Sequence, residues 1–148
     1  MKLTYKKATQ HDLRTVLETE RIGDKSPHYS GFTKAEEVKN YLQNSDVYVI
    51  LSNGRPVGHV SYKALDKRTV EIDGLVVFPS YRRKGIATKA VEMIIRKISN
   101  YHQAELLTHP HNIGSLLIYL RNGFVIESWE DNPFGDGEPR VKMVKLLT

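Results

Sequence analysis

The sequence has no cysteine among its 148 residues. Disulfides, thiolate metal sites and cysteine nucleophiles are therefore excluded. Long apolar runs are missing too: none approaches the roughly 18 residues of a membrane-spanning helix. Met1 to Lys7 lacks the apolar core of a secretory signal. A cytoplasmic protein that stays off membranes is the expectation. Two familiar phosphate-binding patterns are absent, Gly-x-x-x-x-Gly-Lys-Ser/Thr and Gly-x-Gly-x-x-Gly. No repeat, low-complexity stretch or linker breaks the chain, so one domain over residues 1–148 is expected.

What is present is ordinary in bulk. Hydrophobic residues make up 40%, enough for a sizeable core. Lysine and arginine number 22 against 17 acids, a formal net charge of +5. The basic residues are dispersed, and only Arg82-Arg83-Lys84 form a run. A cluster at one glycine loop suits a small phosphorylated ligand better than a long polyanion, so no nucleic-acid partner is expected.

That loop lies in the most informative stretch, Glu71 to Thr88. Residues 69–78 are β-branched and apolar and read as a mostly buried strand. Pro79 ends it, having no N–H for a ladder. Arg82 to Ala87 form a short basic loop with a flexible point at Gly85, and an amphipathic helix follows from Ile86 to about Asn100. The first N–H groups of a helix lack internal partners and sit at the positive end of its dipole. A phosphate is the usual guest there.

The remaining chain supplies a scaffold. Residues 2–8 read as a strand, and Thr9 with Asp12 starts a helix carrying Leu13, Val16 and Leu17 on one face. Residues 21–31 hold Gly23, Pro27 and Gly31 and read as a loop. Thr33 with Glu36 forms a capping box for a helix striped by Ala35, Val38 and Leu42. Asp46–Leu51 and Arg55–Leu65 are strands joined at Asn53-Gly54, a strong hairpin signal. The helix after the glycine loop turns Ala87, Ala90, Val91, Ile94 and Ile98 inward. A strand at 103–108 should run parallel to its neighbour, after a right-handed crossover. Asn112 caps a helix expected to bury Ile113, Leu116, Leu117 and Leu120, and Gly123 stops it. Two strands close the chain, Phe124–Glu130 and Val141–Leu147. The order β-α-α-β-β-β-α-β-α-β-β makes an α/β class with a mixed sheet.

The spacing Arg82-x-x-Gly85-x-Ala87 resembles the Arg/Gln-x-x-Gly-x-Gly/Ala signature of the GNAT superfamily of N-acetyltransferases. About 25 residues on, Asn112, Tyr119 and Gly123-Phe124 resemble the second motif of that family. The seven-residue step from Asn112 to Tyr119 is nearly two helical turns, about 10 Å along the axis. It places both on one side, rotated away from the Leu116/Leu120 stripe. The resemblance covers most of the chain from Asp46 onward. It implies a mostly antiparallel sheet whose central parallel pair splays apart, with acetyl-CoA threaded beside the gap.

Acetyl transfer needs a held coenzyme, an unprotonated amine, donors for the oxyanion and a proton for the thiolate. The resemblance assigns Arg82, Arg83, Lys84, Gly85, Ile86, Ala87 and Thr88 to the pyrophosphate. It assigns Leu75, Val76 and Val77 to the pantetheine arm, with an amide near Val76 or Val77 facing the acetyl carbonyl. Gly74, inside a strong strand, marks a bulge or a close backbone approach. Glu71 matches a general-base position, and Asp73, on the same face, is its reserve. Tyr119 is the proton donor to the thiolate. Asn112 is an N-cap or a partner for pantetheine amides. His109 and His111 lack a third ligand, so no metal is expected.

The acceptor is a small-molecule or peptide amine that the sequence does not identify. Candidate contacts are His28, Tyr29, Phe32, Trp129 and Phe134, beside the acids Glu18, Glu20, Asp24, Glu130, Asp131, Asp136 and Glu138. Acids beside aromatics would suit a cation. An acyl-CoA-binding sensor without turnover is the alternative, and a homodimer is left open.

Overall fold

The computed structural model describes residues 1–24 and 31–147. Among them, seven strands form one sheet: β1 (Leu3–Lys7), β2 (Asp46–Ser52), β3 (Arg55–Ala64), β4 (Thr69–Val77), β5 (Gln103–Thr108), β6 (Val125–Glu130) and β7 (Arg140–Leu146). The helices are α1 (Leu13–Asp24), α2 (Ala35–Asn44), α3 (Ile86–Lys97) and α4 (Ile113–Arg121). The element order expected from the sequence is the observed one. Across the sheet the order is β1-β2-β3-β4-β5-β7-β6, and every pair is antiparallel except β4–β5.

Two cores lie on opposite faces because strand side chains alternate. Val47 and Val49 of β2 pack with Val16 and Val38 of α1 and α2. Ile50 of the same strand joins Ala90, Val91 and Ile94 of α3 on the other face. Each buried valine or isoleucine among these contributes about 1.5–3 kcal/mol. Asn53 and Gly54 both have positive φ, 50° and 83°, as a tight hairpin turn requires. No helix among the described residues is long and apolar enough to cross a membrane.

Several local expectations are corrected. The loop expected at 21–31 starts later, since α1 runs through Gly23 to Asp24. Thr19 and Glu20 bond to His59 of β3 and Gly23 is buried. Such contacts override glycine's helix penalty of about 1 kcal/mol. Residues 25–30 lie outside the described residues, and with them the candidates His28 and Tyr29. The cap of α2 sits one residue late: Lys34 is the N-cap, and the Glu37 carboxylate accepts from the N–H groups of Thr33 (3.3 Å) and Lys34 (3.1 Å). On α2 the buried pair is Val38 and Tyr41, while Ala35 is exposed.

The face of α4 is also corrected. Ile113, Leu117 and Leu120 point outward, at 59%, 43% and 44% exposure. Tyr119 is the buried residue, its ring 5.5 Å from that of Phe124 in an edge contact. A helix apolar on most sides can seat more than one face, and the aromatic pair buries the most surface.

The central strands part as the resemblance implied. β4 and β5 pair only at Thr69, Val70 and Glu71. Just beyond, the β3–β4 register shifts: Ile72 faces Tyr62 and Gly74 faces Ser61, leaving Asp73 as the extra residue of a bulge.

Candidate active site

The loop after β4 is shaped to aim a helix start. Pro79–Tyr81 form a 3-10 turn, and the Arg82 side chain donates from Nε to the Val77 carbonyl at 3.1 Å, tying the loop back to the strand. Arg83 and Gly85 then take left-handed conformations, φ 62° and 77°. Gly85 is the N-cap of α3, and the first bond there runs from the Lys89 N–H to the Gly85 carbonyl. The N–H groups of Ile86, Ala87 and Thr88 thus precede any intrahelical partner. A Cβ on Gly85 would meet nothing within 4 Å, so its glycine serves the backbone turn rather than the surrounding space.

This helix start opens on a cleft of about 590 Å³. Leu75, Val76, Val77, Arg82, Arg83, Gly85, Ile86, Ala87, Thr88 and Asn112 all line it. Lys84 does not. Its ammonium lies 5.4 Å from the ring centre of Tyr81, held by cation–π attraction, so it contributes charge only from outside. Arg121 and Ser115 of α4 also line the cleft, and no sequence motif pointed to them. Three arginines and an open helix N-terminus make an anion seat.

A second cleft, about 460 Å³, adjoins the first, and Leu75, Asn112 and Ser115 line both. Glu71, Asp73 and Tyr119 line it together, with Phe32, Tyr41, Phe134 and Arg140. Burial pushes the Glu71 carboxyl above its ordinary range; Lys63, opposite it on β3, pulls the other way, and Asp73 and Glu105 add to the rise. Asp73 accepts from the hydroxyls of Ser45 and Ser61, each at 2.6 Å. Ser61 is in turn bonded to the buried Tyr41 hydroxyl. Tyr41 and Ser45 come from α2 and its C-cap and Ser61 from β3, and the only cue in the sequence is the three-residue step from Val38 to Tyr41.

Tyr119 enters the cleft from the core, 5% exposed, instead of bordering the sheet as its helical position suggested. Burial first, then the Asp73 charge, pushes its phenol well above the ordinary value, so it stays protonated. Its hydroxyl has no hydrogen-bond partner among the described residues. A buried orphan donor facing a cleft fits a group that arrives from outside, such as a thiol sulfur or thioester. Asn112 caps α4, accepting from the Ser115 N–H at 3.3 Å, and lines both clefts, so both of its expected roles are geometrically open.

The other candidates are dispersed. Phe32 packs against Tyr41 in a tilted contact, with ring centres 5.3 Å apart. Trp129 is 56% exposed, donates to Asp131 and lines neither cleft. Glu20 is no loop acid: it is buried on α1, 3.1 Å from Nε2 of the buried His59. Asp136 is paired with Arg140 at 2.7 Å and Glu138 with His109 at 3.3 Å. His109 Nδ1 accepts from the His111 N–H, and no group of three or more metal-ligating side chains converges among the described residues.

No curated protein sequence matches the chain. Solved structures do match it. A GNAT family acetyltransferase from Streptococcus pneumoniae shares 18% identity, over 99% of this chain and 100% of that one, with a TM-score of 0.81. One from Elizabethkingia anophelis, with acetyl-CoA bound, shares 20% over 98% of each chain, with a TM-score of 0.77. Ard1 from Thermoplasma volcanium shares 17% over 100% and 99%, with a TM-score of 0.86. At such identities the likeness speaks for the fold. The family described as Acetyltransferase (GNAT) matches residues 11–124, across both the glycine loop and the Asn112–Phe124 segment. The chain therefore belongs to the GNAT family of acetyltransferases.

Proposed function

We propose that this protein transfers the acetyl group of acetyl-CoA to a primary amine by direct attack in a ternary complex. The observation that carries this is the meeting of the two clefts beside the parted strands, at Leu75, Asn112 and Ser115, with Tyr119, whose hydroxyl has no partner among the described residues, lining the second. Acetyl-CoA is the bound molecule named for the Elizabethkingia anophelis protein. In this chain the α3 N-terminus with Arg82, Arg83 and Arg121 would hold the pyrophosphate, and the open edge of β4 at Leu75–Val77 the pantetheine arm.

The chemistry then follows from position. Glu71, acting through water, takes a proton from the ammonium form of the acceptor. Its raised affinity for protons brings it nearer to working pH. The free amine attacks the thioester carbonyl, and the carbon–nitrogen bond forms as the oxygen takes negative charge. An amide of Val76 or Val77 donates to that oxygen. The intermediate collapses, the carbon–sulfur bond breaks, and Tyr119 donates its hydrogen to the departing thiolate; the extra proton on the new amide nitrogen returns through water to the Tyr119 oxygen. Cysteine is absent, so no thiol carries the acetyl group between steps.

The test has two parts. Acetyl-CoA and CoA should raise the melting temperature and ATP should not. A panel of primary amines should then include at least one that releases free thiol from acetyl-CoA. Stabilisation with no release across a broad panel would replace transfer with acyl-CoA sensing.

A further inference from the structure

The acceptor cleft contains an anion built for a cation that the protein does not supply. Asp73 is half-buried, and among the described residues no lysine, arginine or histidine pairs with it. Two hydroxyls instead hold it in place, Ser45 on Oδ2 and Ser61 on Oδ1, both at 2.6 Å. A serine hydroxyl has one hydrogen. Ser61 spends its own on Asp73, so in the contact with Tyr41 the phenol is the donor. Burial and the charges of Asp73 and Glu20 keep the Tyr41 phenol protonated. The chain of donors therefore runs one way, from Tyr41 to Ser61 to Asp73, and each bond polarises the next.

The direction decides the role. Passing a proton from Asp73 inward would require every hydroxyl to reverse, and Tyr41 is buried at the far end. This chain does not relay protons; it fixes a carboxylate. Gly74 is needed for it, because a Cβ there would stand 2.3 Å from the Tyr41 oxygen and 2.7 Å from the Ser61 oxygen. A carboxylate offers about four lone-pair positions. Two are taken from the Ser45 and Ser61 sides, leaving the others for the cleft that Asp73 lines. Glu71, two residues back on β4, has no such cradle.

We propose that Asp73 is the docking site for the acceptor's ammonium group, and that Tyr41, with Ser61 and Ser45, is a positioning residue for it. Resting on the transferase reading above, this divides the two carboxylates: Asp73 anchors the cation and Glu71 removes its proton. Asp73 and Tyr119 line the same cleft, so the docked nitrogen shares it with the leaving-group donor.

The test uses the CoA-loaded protein, which cannot turn over, and two probes of one shape, benzylamine and benzyl alcohol. Calorimetric titration should show wild type preferring the amine by about tenfold or more, the scale of a charge-assisted hydrogen bond. Asp73→Asn should erase the preference. Tyr41→Phe and Ser45→Ala should each reduce it several-fold with CoA affinity unchanged; two variants guard against one failing to fold. A purely structural Tyr41 would leave the amine-to-alcohol ratio alone. Equal binding of the two probes by wild type, or an intact preference in Asp73→Asn, overturns the proposal. Failure of CoA itself to bind would undo the transferase reading, while the ratio measured without CoA would still decide the role of Asp73.

Discussion

Replacing Tyr119 by phenylalanine should make the protein more stable and less active at once. The hydroxyl is 5% exposed with its residue and has no partner among the described residues. A buried polar group left unsatisfied costs about 1–3 kcal/mol. Tyr119→Phe removes that cost and keeps the ring's edge contact with Phe124 at 5.5 Å. For a chain of this size, 1 kcal/mol shifts the melting temperature by roughly 2–4 °C, so the ligand-free variant should melt a few degrees higher. On the transferase reading, turnover should depend on the same hydroxyl in the opposite sense. Loss of a positioned proton donor lowers a rate by about 10²-fold or more, while acetyl-CoA affinity should change little. Calorimetry of the ligand-free protein and thiol release under saturating acetyl-CoA read the two effects separately. A variant that melts lower would show that the hydroxyl is bonded in the free protein. Unchanged turnover would remove it from the chemistry. Either result refutes the reasoning that joins burial to catalysis here.

The turnover of wild type should rise with pH through the raised titration of Glu71, and Glu71→Gln should lower kcat by about 10²-fold or more and abolish that limb. The same shift has a stability consequence. A carboxyl whose folded value exceeds its unfolded value supports folding fully below the ordinary carboxylate range and loses that support as pH rises through the raised value. Glu71→Gln should therefore melt higher than wild type at neutral pH, with the gap closing in acid. Gly85 has φ 77° and open space at its Cβ, so Gly85→Asn should keep most CoA affinity. Gly85→Val, whose branched side chain resists that conformation at a cost of about 1–2 kcal/mol, should lose much of it by calorimetry. A Cβ on Gly58 would lie 2.0 Å from the Val76 carbonyl oxygen. Gly58→Ala should thus cost about 1–3 kcal/mol in urea unfolding and weaken turnover by shifting the strand that faces the thioester.

What could be read from the sequence was local. The Arg82–Ala87 loop and the Asn112–Phe124 segment carry their geometry in consecutive residues, so much of the first cleft's lining was legible there, while Ser115 and Arg121 were not. Gly74 announced an irregularity inside a strong strand, and the register shift lies beside it. The acceptor side was not legible, for a physical reason. Tyr41, Ser45 and Ser61 meet Asp73 only after α2 and β3 fold over β4, and a serine bears no sign of its future partner. The orientation of α4 failed differently. Ile113, Leu116, Leu117, Ile118 and Leu120 give a nearly continuous apolar surface, and periodicity cannot choose a face where every face is apolar. Lys84 illustrates a third limit: a basic run predicts charge near a phosphate, but the direction of each side chain depends on the turn at Arg83 and Gly85.

The bulge at Asp73 ties the architecture to the chemistry. Before it, the side chains of β4 that reach the α3 core have even numbers, Val70 and Ile72. After it they have odd numbers, Leu75 and Val77. One extra residue has switched the phase, as a single-residue slip must. Asp73 and Gly74 consequently face α1 and α2 side by side. That is why Asp73 reaches Ser45 and Ser61, and why its neighbour must lack a side chain to let Tyr41 in. The added residue also coincides with the end of the β4–β5 ladder at Glu71. The main-chain groups of Leu75 to Val77 on that side are left without a strand to bond. A regular β4 would keep its ladder, send Leu75 toward α1 and α2, and close both clefts at their junction. The two clefts meet where this strand is one residue too long for its partner.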